Sequence, residues 1–474
     1  MKQTDFKFKQ IRVRMAPSPT GHLHVGTARA ALFNYLFAKH EGGEFILRIE
    51  DTDLERSDPK FEKDIIENLK WLGIEWDEFY RQSERTETYT NYLDRLLQEN
   101  KLYRCFCTQE ELEDERQEEL SRGASPKYNG KCRALTEKQI KENLAQGKPS
   151  ILRFKTPEKK IVFHDLIRSK IEFDTTLIGD FAIAKDLATP LYNFAVVVDD
   201  FEMQISHVIR GEDHIPNTPK QILIQEALNF PQPKYAHLPL ILGPDKSKLS
   251  KRHAATSVAD YRKMGYMPEA MVNFMAFLGW NPGTEREIFT LPSLVKEFSL
   301  DKVQKSGAVF NIKKLDSLNG FYLRQKTIDK LADLCQLYLP QTPKNNLKKI
   351  VALYHERLKN LSEITALTDY FFRDKLDYKK SLLNWKDMTQ VEINQSLDTA
   401  QEMLSKISKA SWTKDNLEKL LLAEAGRMGD RGRLLWPLRA ALTGQQASAG
   451  PIDVAFVLGK EKTLQRIKEA KELK

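Results

Sequence analysis

Residues 12–49 read RVRMAPSPTGHLHVGTARAALFNYLFAKHEGGEFILRI, and the spacing of apolar side chains along this stretch decides the fold class. Polar and apolar residues alternate over residues 12–16, which is typical of a short strand, and the prolines and glycine that follow indicate a turn. From Thr27 the apolar residues recur at helical spacing, and residues 45–49 predict a second strand. Strand, turn, helix and strand form a βαβ unit, which implies a parallel sheet with its ligand site outside the carboxyl ends of the strands.

The chain has 474 residues, more than one hydrophobic core usually supports, so we expect several domains. The predicted fold class is α/β, with a doubly wound, Rossmann-like parallel sheet built from residues 1–90 and 200–255. A charged helical stretch followed by alternating runs predicts an inserted α+β domain in residues 91–199. Residues 256–325 are predicted to form a linking domain. Residues 326–474, whose apolar positions keep a helical period, are predicted to form an all-α region.

The charge of the chain is concentrated near its C-terminus. Residues 341–474 contain 24 Lys and Arg against 17 Asp and Glu, a surplus of 7 out of a net charge of +8. Such a surplus favours contact with a polyanion such as nucleic acid, although many proteins without such a partner are equally basic. The N-terminal residues lack the apolar core of a secretory signal, and no long uninterrupted apolar run follows. We therefore expect a cytoplasmic protein without membrane contact.

Two segments are candidates for binding phosphate. In residues 17–27, Gly21 and Gly26 flank His22 and His24 where the predicted strand passes into the helix. The unpaired N–H groups of a helix start attract anions, but an ordinary turn has the same composition. Residues 245–252 read DKSKLSKR, with three lysines and an arginine after a Gly-Pro pair. This run is either a solvated charged surface or a cationic loop directed at the same sheet edge.

The two segments together resemble the paired signatures of class I aminoacyl-tRNA synthetases. HVGT at residues 24–27 is similar to the first signature, HIGH, with Thr27 in place of the second histidine, and KLSKR at residues 248–252 is similar to the second, KMSKS. The resemblance implies catalytic roles for His24, Lys248 and Lys251, which would stabilise charge on the triphosphate of Mg²⁺-bound ATP as pyrophosphate leaves. The ATP-binding residues that it implies are Pro17, Gly21, His24, Gly26, Thr27, Lys248, Ser250 and Lys251.

Two further segments, RMAPSPTG at residues 14–21 and RIEDTD at residues 48–53, resemble the glutamyl and glutaminyl branch of that class. The helical tail resembles the bacterial-type glutamyl members, because glutaminyl relatives typically carry β-barrel anticodon domains. An arginine is the expected partner for a substrate γ-carboxylate, since its fork binds a carboxylate through two hydrogen bonds. The amino-acid pocket implied by the resemblance is formed by Arg14, Ser18, Glu50, Tyr192 and Arg210.

The resemblance implies glutamate–tRNA ligase activity, with L-glutamate, ATP and tRNA(Glu) as partners of a monomeric enzyme. The inserted domain would bind the acceptor end of the tRNA, residues 256–325 its stem, and the helical region its anticodon. Two alternatives are a nucleotidyltransferase that adenylates a small molecule without RNA, and a non-catalytic tRNA-binding relative. The basic tail argues against the first, and the intact lysine loop argues against the second.

Three cysteines in the predicted insertion form a candidate metal site. Cys105, Cys107 and Cys132 offer three thiolates, and Tyr128 is a possible fourth ligand. Some relatives bind zinc here with a histidine two residues after the last cysteine, a position that Ala134 occupies in this chain. The sequence therefore leaves two alternatives open, a structural zinc site and a buried cluster of reduced thiols.

Overall fold

The structure, a computed structural model, describes residues 8–53, 55–124, 126–250, 252 and 255–473. The chain forms two compact units, one comprising Met1–Arg262 and Pro268–Leu315, the other Lys263–Met267 and Asp316–Lys474. Twelve strands lie in the described residues: β1 Arg12–Met15, β2 Glu44–Ile49, β3 Glu78–Arg81, β4 Leu102–Cys105, β5 Ile151–Phe154, β6 Lys160–Asp165, β7 Ser169–Asp174, β8 Ala182–Ala184, β9 His207–Gly211, β10 Lys234–Leu238, β11 Ile241–Leu242 and β12 Ala308–Val309.

Nineteen α-helices accompany these strands in the same described ranges, and those after Leu315 supply most of the second unit. They are α1 Val25–His40, α2 Pro59–Trp71, α3 Thr86–Gln98, α4 Gln109–Ser121, α5 Glu137–Ala145, α6 Tyr192–Glu202, α7 Thr218–Leu228, α8 Val258–Lys263, α9 Pro268–Ala276, α10 Leu291–Glu297, α11 Ile312–Arg324, α12 Ile328–Cys335, α13 Lys344–Ala352, α14 Glu363–Phe372, α15 Gln390–Ser405, α16 Lys414–Arg427, α17 Gly432–Thr443, α18 Pro451–Leu458 and α19 Lys460–Lys471.

The central sheet of the first unit is parallel and has the order β3-β2-β1-β9-β10. β1 pairs with β2 and β2 with β3, while β9 pairs with β10, all in parallel. The two halves are joined at Ser206, whose backbone N–H donates to the carbonyl of Arg12 over 2.9 Å and whose Oγ accepts from the N–H of Arg12 over 2.8 Å. This is the strand order of a doubly wound fold, which confirms the predicted class.

Helices cover both faces of this sheet, because successive side chains of a strand point to opposite sides. On β2, Phe45 packs against Tyr35 of α1, whereas its neighbour Ile46 belongs to the apolar core formed with α3, α6 and α7. On β9, His207 lies against Phe37 of α1, and Val208 joins the core on the other side. The alternation fixes the face of the sheet to which each strand side chain points.

The segment between α3 and α6 is α+β, as predicted for an insertion. β4, β5 and β8 form an antiparallel sheet, and α4 and α5 lie between β4 and β5 in the sequence. β6 and β7 form an antiparallel hairpin, and β6 also pairs in parallel with β10 through Asp165 and Tyr235. The hairpin thereby places Asp165, at the end of β6, beside β10, where its carboxylate contacts the His237 imidazole.

The second unit is built from helices in the residues that the structure describes. Buried Arg466 of α19 donates hydrogen bonds to the carbonyls of Tyr370 and Arg373 at the end of α14 and of Leu442 at the end of α17. A cation at these helix ends satisfies carbonyls that have no partner within their own helix. None of the helices in the described ranges has the length and apolar character needed to cross a lipid bilayer.

Candidate active site

A cavity of about 880 Å³ opens at the carboxyl ends of β1, β2 and β9. Most of the site residues predicted from the sequence lie around it, although the first and the last of them, Arg14 and Lys248, are more than 200 residues apart in the chain. Gly21 and Ser250 do not line the cavity, and Lys251 lies outside the described residues. The selected residues that line it are Arg14, Pro17, Ser18, His24, Gly26, Thr27, Glu50, Tyr192, Arg210 and Lys248.

The positive end of α1 faces this cavity. His24 is the N-cap residue, and its Nδ1 accepts a hydrogen bond from the N–H of Gly26 over 3.0 Å. A Cβ at position 26 would lie 3.2 Å from that same nitrogen, so glycine allows the imidazole to close over the helix start. Burial, followed by the charge of Lys248, lowers the pKa of His24. The imidazole is therefore neutral at pH 7 and keeps its Nε2 available to a ligand.

The floor of the cavity contains a buried network of opposite charges. Asp200 of α6 accepts from Nε and Nη2 of Arg14 over 3.1 and 3.3 Å, and from Arg48 over 2.8 Å. Arg48 also donates to Glu50 over 3.1 Å. Burial raises the pKa of Glu50 against the opposing effect of Arg48 and Arg14. Glu50 lines the cavity beside this network, whereas the charge of Arg14 is already matched by Asp200.

Arg210, at the end of β9, is buried but bonded only to neutral acceptors within the described chain. Its Nη1 donates to Oε1 of Gln221 over 2.9 Å, its Nη2 to Oγ1 of Thr218 over 2.8 Å, and its Nε to Nε2 of His237 over 3.2 Å. Its positive charge is consequently not neutralised by a carboxylate. A buried arginine in this condition has a strong preference for an incoming anion.

Tyr192 completes the wall beside Arg210. Its hydroxyl lies 3.0 Å from Nδ1 of His214. Burial, together with the charge of Arg210, lowers the pKa of His214 to about 4. His214 is therefore neutral in the physiological range and adds no second positive charge.

The lysine loop is attached to the cavity edge through its backbone. The N–H of Leu249 donates to the carbonyl of Ile241 over 3.0 Å, and the N–H of Gly243 to that of Ser247 over 2.8 Å. Nζ of Lys248 lies 3.6 Å from a carboxylate oxygen of Asp213, and the Lys248 side chain is 68% exposed. The loop thus presents the exposed ammonium group of Lys248 to the same cavity that the start of α1 faces.

The insertion brings the predicted sulfur ligands together. The Sγ atoms of Cys105, Cys107 and Cys132 all lie within 4.8 Å of one another, and those of Cys107 and Cys132 are 3.6 Å apart. The Tyr128 hydroxyl lies 3.5 Å from the Sγ atoms of both Cys105 and Cys107. Four thiolates around zinc with bonds of about 2.3 Å would place their sulfurs roughly 3.8 Å apart, so the arrangement fits a zinc ion.

Comparison with known proteins follows the same division of the chain. Residues 10–317 match the family described as tRNA synthetases class I (E and Q), catalytic domain, and residues 330–471 match an anticodon binding domain. The glutamate–tRNA ligase 1 of Caldicellulosiruptor saccharolyticus is 46% identical over 97% of this chain and 98% of its own. The chain belongs to the glutamate–tRNA ligase family.

Other glutamate–tRNA ligases agree with this assignment at the level of sequence and fold. That of Aquifex aeolicus is 46% identical over 97% of this chain and 98% of its own length. A solved glutamate tRNA ligase from Elizabethkingia meningosepticum, in complex with its amino acid, superposes with a TM-score of 0.85 at 36% identity, covering 98% of this chain and 99% of that one. The resemblance found in the sequence is therefore confirmed.

Sequence reasoning did not predict several residues that the structure places at the site of this glutamate–tRNA ligase family member. Asp213 and His214 line the cavity, while Asp200 and His237 lie behind it and hold Arg14 and Arg210. A signal for one of them was present, because Asp199 and Asp200 interrupt the apolar run of α6. Two adjacent carboxylates on a buried helix require cationic partners. No comparable pattern marks His237.

Proposed function

We propose that the protein activates L-glutamate with ATP and transfers the glutamyl group to the terminal adenosine of tRNA(Glu). The observation that carries the proposal is Arg210, a buried guanidinium without a carboxylate partner, in the same cavity as the start of α1. A substrate with a second carboxylate satisfies this arginine, whereas glutamine leaves part of its fork unpaired. Glu50 lines the same cavity and is a carboxyl group, which suits the α-ammonium group of the substrate.

In the first step, an oxygen of the α-carboxylate attacks the α-phosphorus of ATP. The new P–O bond replaces the bond to the β-phosphate oxygen, and pyrophosphate leaves with the electron pair of that bond. Mg²⁺ bound to ATP neutralises part of the triphosphate charge. We assign His24 and the N–H groups of α1 to the phosphates, with Gly26 and Thr27 beside them. Lys248 and Lys251 stabilise the charge that develops on the leaving group.

In the second step, the 2′-hydroxyl of the terminal adenosine attacks the carbonyl carbon of glutamyl-adenylate. An ester bond forms, the bond from the carbonyl carbon to the phosphate oxygen breaks, AMP leaves with the electron pair of that bond, and the hydroxyl proton is released. We propose that residues 91–199 bind the acceptor end, residues 256–325 the stem, and residues 326–474 the anticodon, in a monomeric cytoplasmic enzyme. The match of residues 330–471 to an anticodon binding domain supports the last of these and disfavours adenylation of a small molecule without RNA.

ATP–pyrophosphate exchange tests the proposal directly, with glutamate or glutamine and with or without total tRNA. Wild-type protein is expected to exchange with glutamate and not with glutamine. Lys251→Ala and Lys248→Ala are each expected to lower glutamate-dependent exchange about 10²-fold, because each removes a cation that acts on the transition state.

The matched control for these variants is Lys246→Asn in the same loop, since asparagine tolerates the φ of 61° at that position. This variant is expected to retain wild-type exchange, because no phosphate role is assigned to it. Absence of exchange with glutamate and with glutamine, in folded wild-type protein that binds ATP, would exclude the proposed activity.

We also propose that Cys105, Cys107, Cys132 and Tyr128 hold a structural zinc ion. The donor set supports this proposal, because three sulfurs and a phenol oxygen converge. Burial raises the pKa of the Cys107 thiol to about 12, and the positive charge of a bound zinc ion would offset this effect and stabilise the thiolate. A bound zinc ion would link the 3₁₀ turn Lys131–Ala134, which contains Cys132, to the end of β4, which contains Cys105.

Cys132→Ser is expected to reduce the zinc content from about one ion per chain to below about 0.2, because zinc binds thiolate far better than hydroxyl. Metal analysis of protein purified from zinc-supplemented medium measures this content. The control is Cys335→Ala, which removes a buried thiol outside the cluster and is expected to keep the full zinc content. Wild-type protein without zinc under these conditions would favour the reduced thiol cluster.

A further inference from the structure

The Nε–H of Arg210 is bonded to the imidazole of His237, a residue of β10 that is fully buried and does not touch the cavity. The other side of this imidazole faces the insertion, where its Nδ1 lies 2.6 Å from Oδ2 of Asp165. Asp165, His237 and Arg210 therefore form a continuous chain from the end of β6 to the amino-acid pocket. The three side chains come from three adjoining strands of one sheet.

The chemistry of the neighbours fixes the proton on this imidazole. An arginine Nε can only donate, so Nε2 of His237 accepts and carries no proton. Nδ1 must then carry the proton and donate it to Asp165. Burial lowers the pKa of His237, the hydrogen bond that His237 donates to Asp165 opposes this effect, and the charge of Arg210 lowers the pKa further. The imidazole is consequently neutral and held in one tautomer.

Asp165 is arranged to hold this imidazole. Its carboxylate also accepts from the backbone N–H groups of Ile167 and Arg168 over 2.9 and 2.7 Å, and from the N–H of His237 over 3.1 Å. Burial alone would raise the pKa of Asp165, but these hydrogen bonds and His237 lower it below its usual value. Across the described part of the chain, no lysine or arginine pairs with Asp165 directly.

We propose that Asp165 and His237 are positioning residues that orient Arg210 while keeping a carboxylate away from its guanidinium group. The inference rests on the proposed function and extends it to the choice of glutamate over glutamine. The imidazole supplies a neutral acceptor at Nε, so two edges of the guanidinium are fixed and its full charge remains available to the substrate γ-carboxylate. A carboxylate in place of His237 would fix Arg210 equally well but would neutralise it.

Arg14 in the same cavity illustrates the difference. Its Nε and Nη2 are both bonded to Asp200, which matches its charge before any substrate arrives. Arg210 presents the same fork to His237 and Thr218, which are neutral. One imidazole ring separates Asp165 from Arg210, so Arg210 stays available to an anionic ligand, whereas Arg14 is already paired with Asp200.

Two substitutions of His237 separate the two ends of the imidazole. His237→Asn places an amide N–H near the position of Nδ1 and retains the bond to Asp165, but it removes the acceptor for Arg210. His237→Gln places its amide near the position of Nε2 and retains an acceptor for Arg210.

In ATP–pyrophosphate exchange with tRNA present, His237→Asn is expected to raise the KM for glutamate at least tenfold, equivalent to about 1.4 kcal/mol. His237→Gln is expected to raise it about threefold, and both should leave kcat and the KM for ATP within about twofold.

A cycle with Arg210→Ala tests whether His237 acts through that arginine. His237→Asn is expected to lower kcat/KM for glutamate in the wild-type background and to have no further effect on it in the Arg210→Ala background. Equal effects in both backgrounds, or a KM for glutamate within twofold of wild type in His237→Asn, would overturn the positioning role. So would parallel losses in kcat and in the KM for ATP, which indicate a structural role. Glutamate-dependent exchange by the wild type keeps these outcomes separate from failure of the proposed function itself.

Discussion

Arg210→Ala is expected to lower kcat/KM for glutamate in ATP–pyrophosphate exchange about 10³-fold, with the KM for ATP little changed. The size follows from the environment of the guanidinium, which is buried and has no carboxylate of the described chain to replace the substrate. Loss of one partner from a buried, hydrogen-bonded pair of charges costs about 2–5 kcal/mol, and 10³-fold corresponds to about 4 kcal/mol.

Arg210→Lys is the matched comparison for this variant. It retains a positive charge but loses the fork and its bonds to Gln221, Thr218 and His237, so we expect an intermediate loss. Glutamine is the second comparison: neither the wild type nor Arg210→Ala is expected to exchange with it, so the loss in the variant should concern glutamate alone. A loss of less than tenfold for glutamate would assign the γ-carboxylate to another residue of the cavity, with Arg14 the first to test.

Asp200→Asn is expected to lower the free energy of unfolding by about 3–5 kcal/mol, because it leaves two buried arginines without their shared anion. Asp200 accepts from both Arg14 and Arg48. Burial alone would raise the pKa of Asp200, but the two arginines depress it below its usual value. The stabilisation is therefore present above the pKa of an unfolded aspartate, about 3.9, and is lost as pH falls through the lower folded value.

Urea unfolding at pH 7, followed by circular dichroism, measures this change as a shift of the first transition to lower urea. Asp53→Asn is the control, since Asp53 forms an exposed pair with Arg56 and we expect the transition to stay in place. Equal transitions for Asp200→Asn and the wild type would show that water or local rearrangement compensates the arginines. That result would show that the ion pairs of Asp200 with Arg14 and Arg48 do not stabilise the folded protein.

The local sequence pattern was sufficient to predict the elements that carry the residues proposed to bind phosphate. The alternation before Pro17 and the helical spacing after Thr27 predict β1 and α1, because each pattern is set by neighbours only a few residues apart. The same holds for Glu50, which directly follows β2. These residues reach the site because the carboxyl ends of parallel strands share one edge.

The residues that hold the arginines follow from tertiary structure alone. Arg14 and Asp200 are 186 positions apart, and His237 and Asp165 are 72 apart. Their pairing depends on β9 lying next to β1 and on β6 lying next to β10, which no local periodicity reveals. The assigned roles of Lys251 and Ser250 rest on the resemblance to the second signature and stay predictions.

The junction at Ser206 has a consequence for synthesis of the chain on the ribosome. Ser206 lies 194 residues after Arg12, the residue it bonds to. At about 5–20 residues per second, roughly 10–40 s pass between the synthesis of β1 and that of β9. Throughout that interval one edge of β1 lacks its hydrogen-bonded neighbour, and such an edge is open to pairing with other extended chains. The order of the strands therefore leaves this edge without its native partner while the insertion is being synthesised.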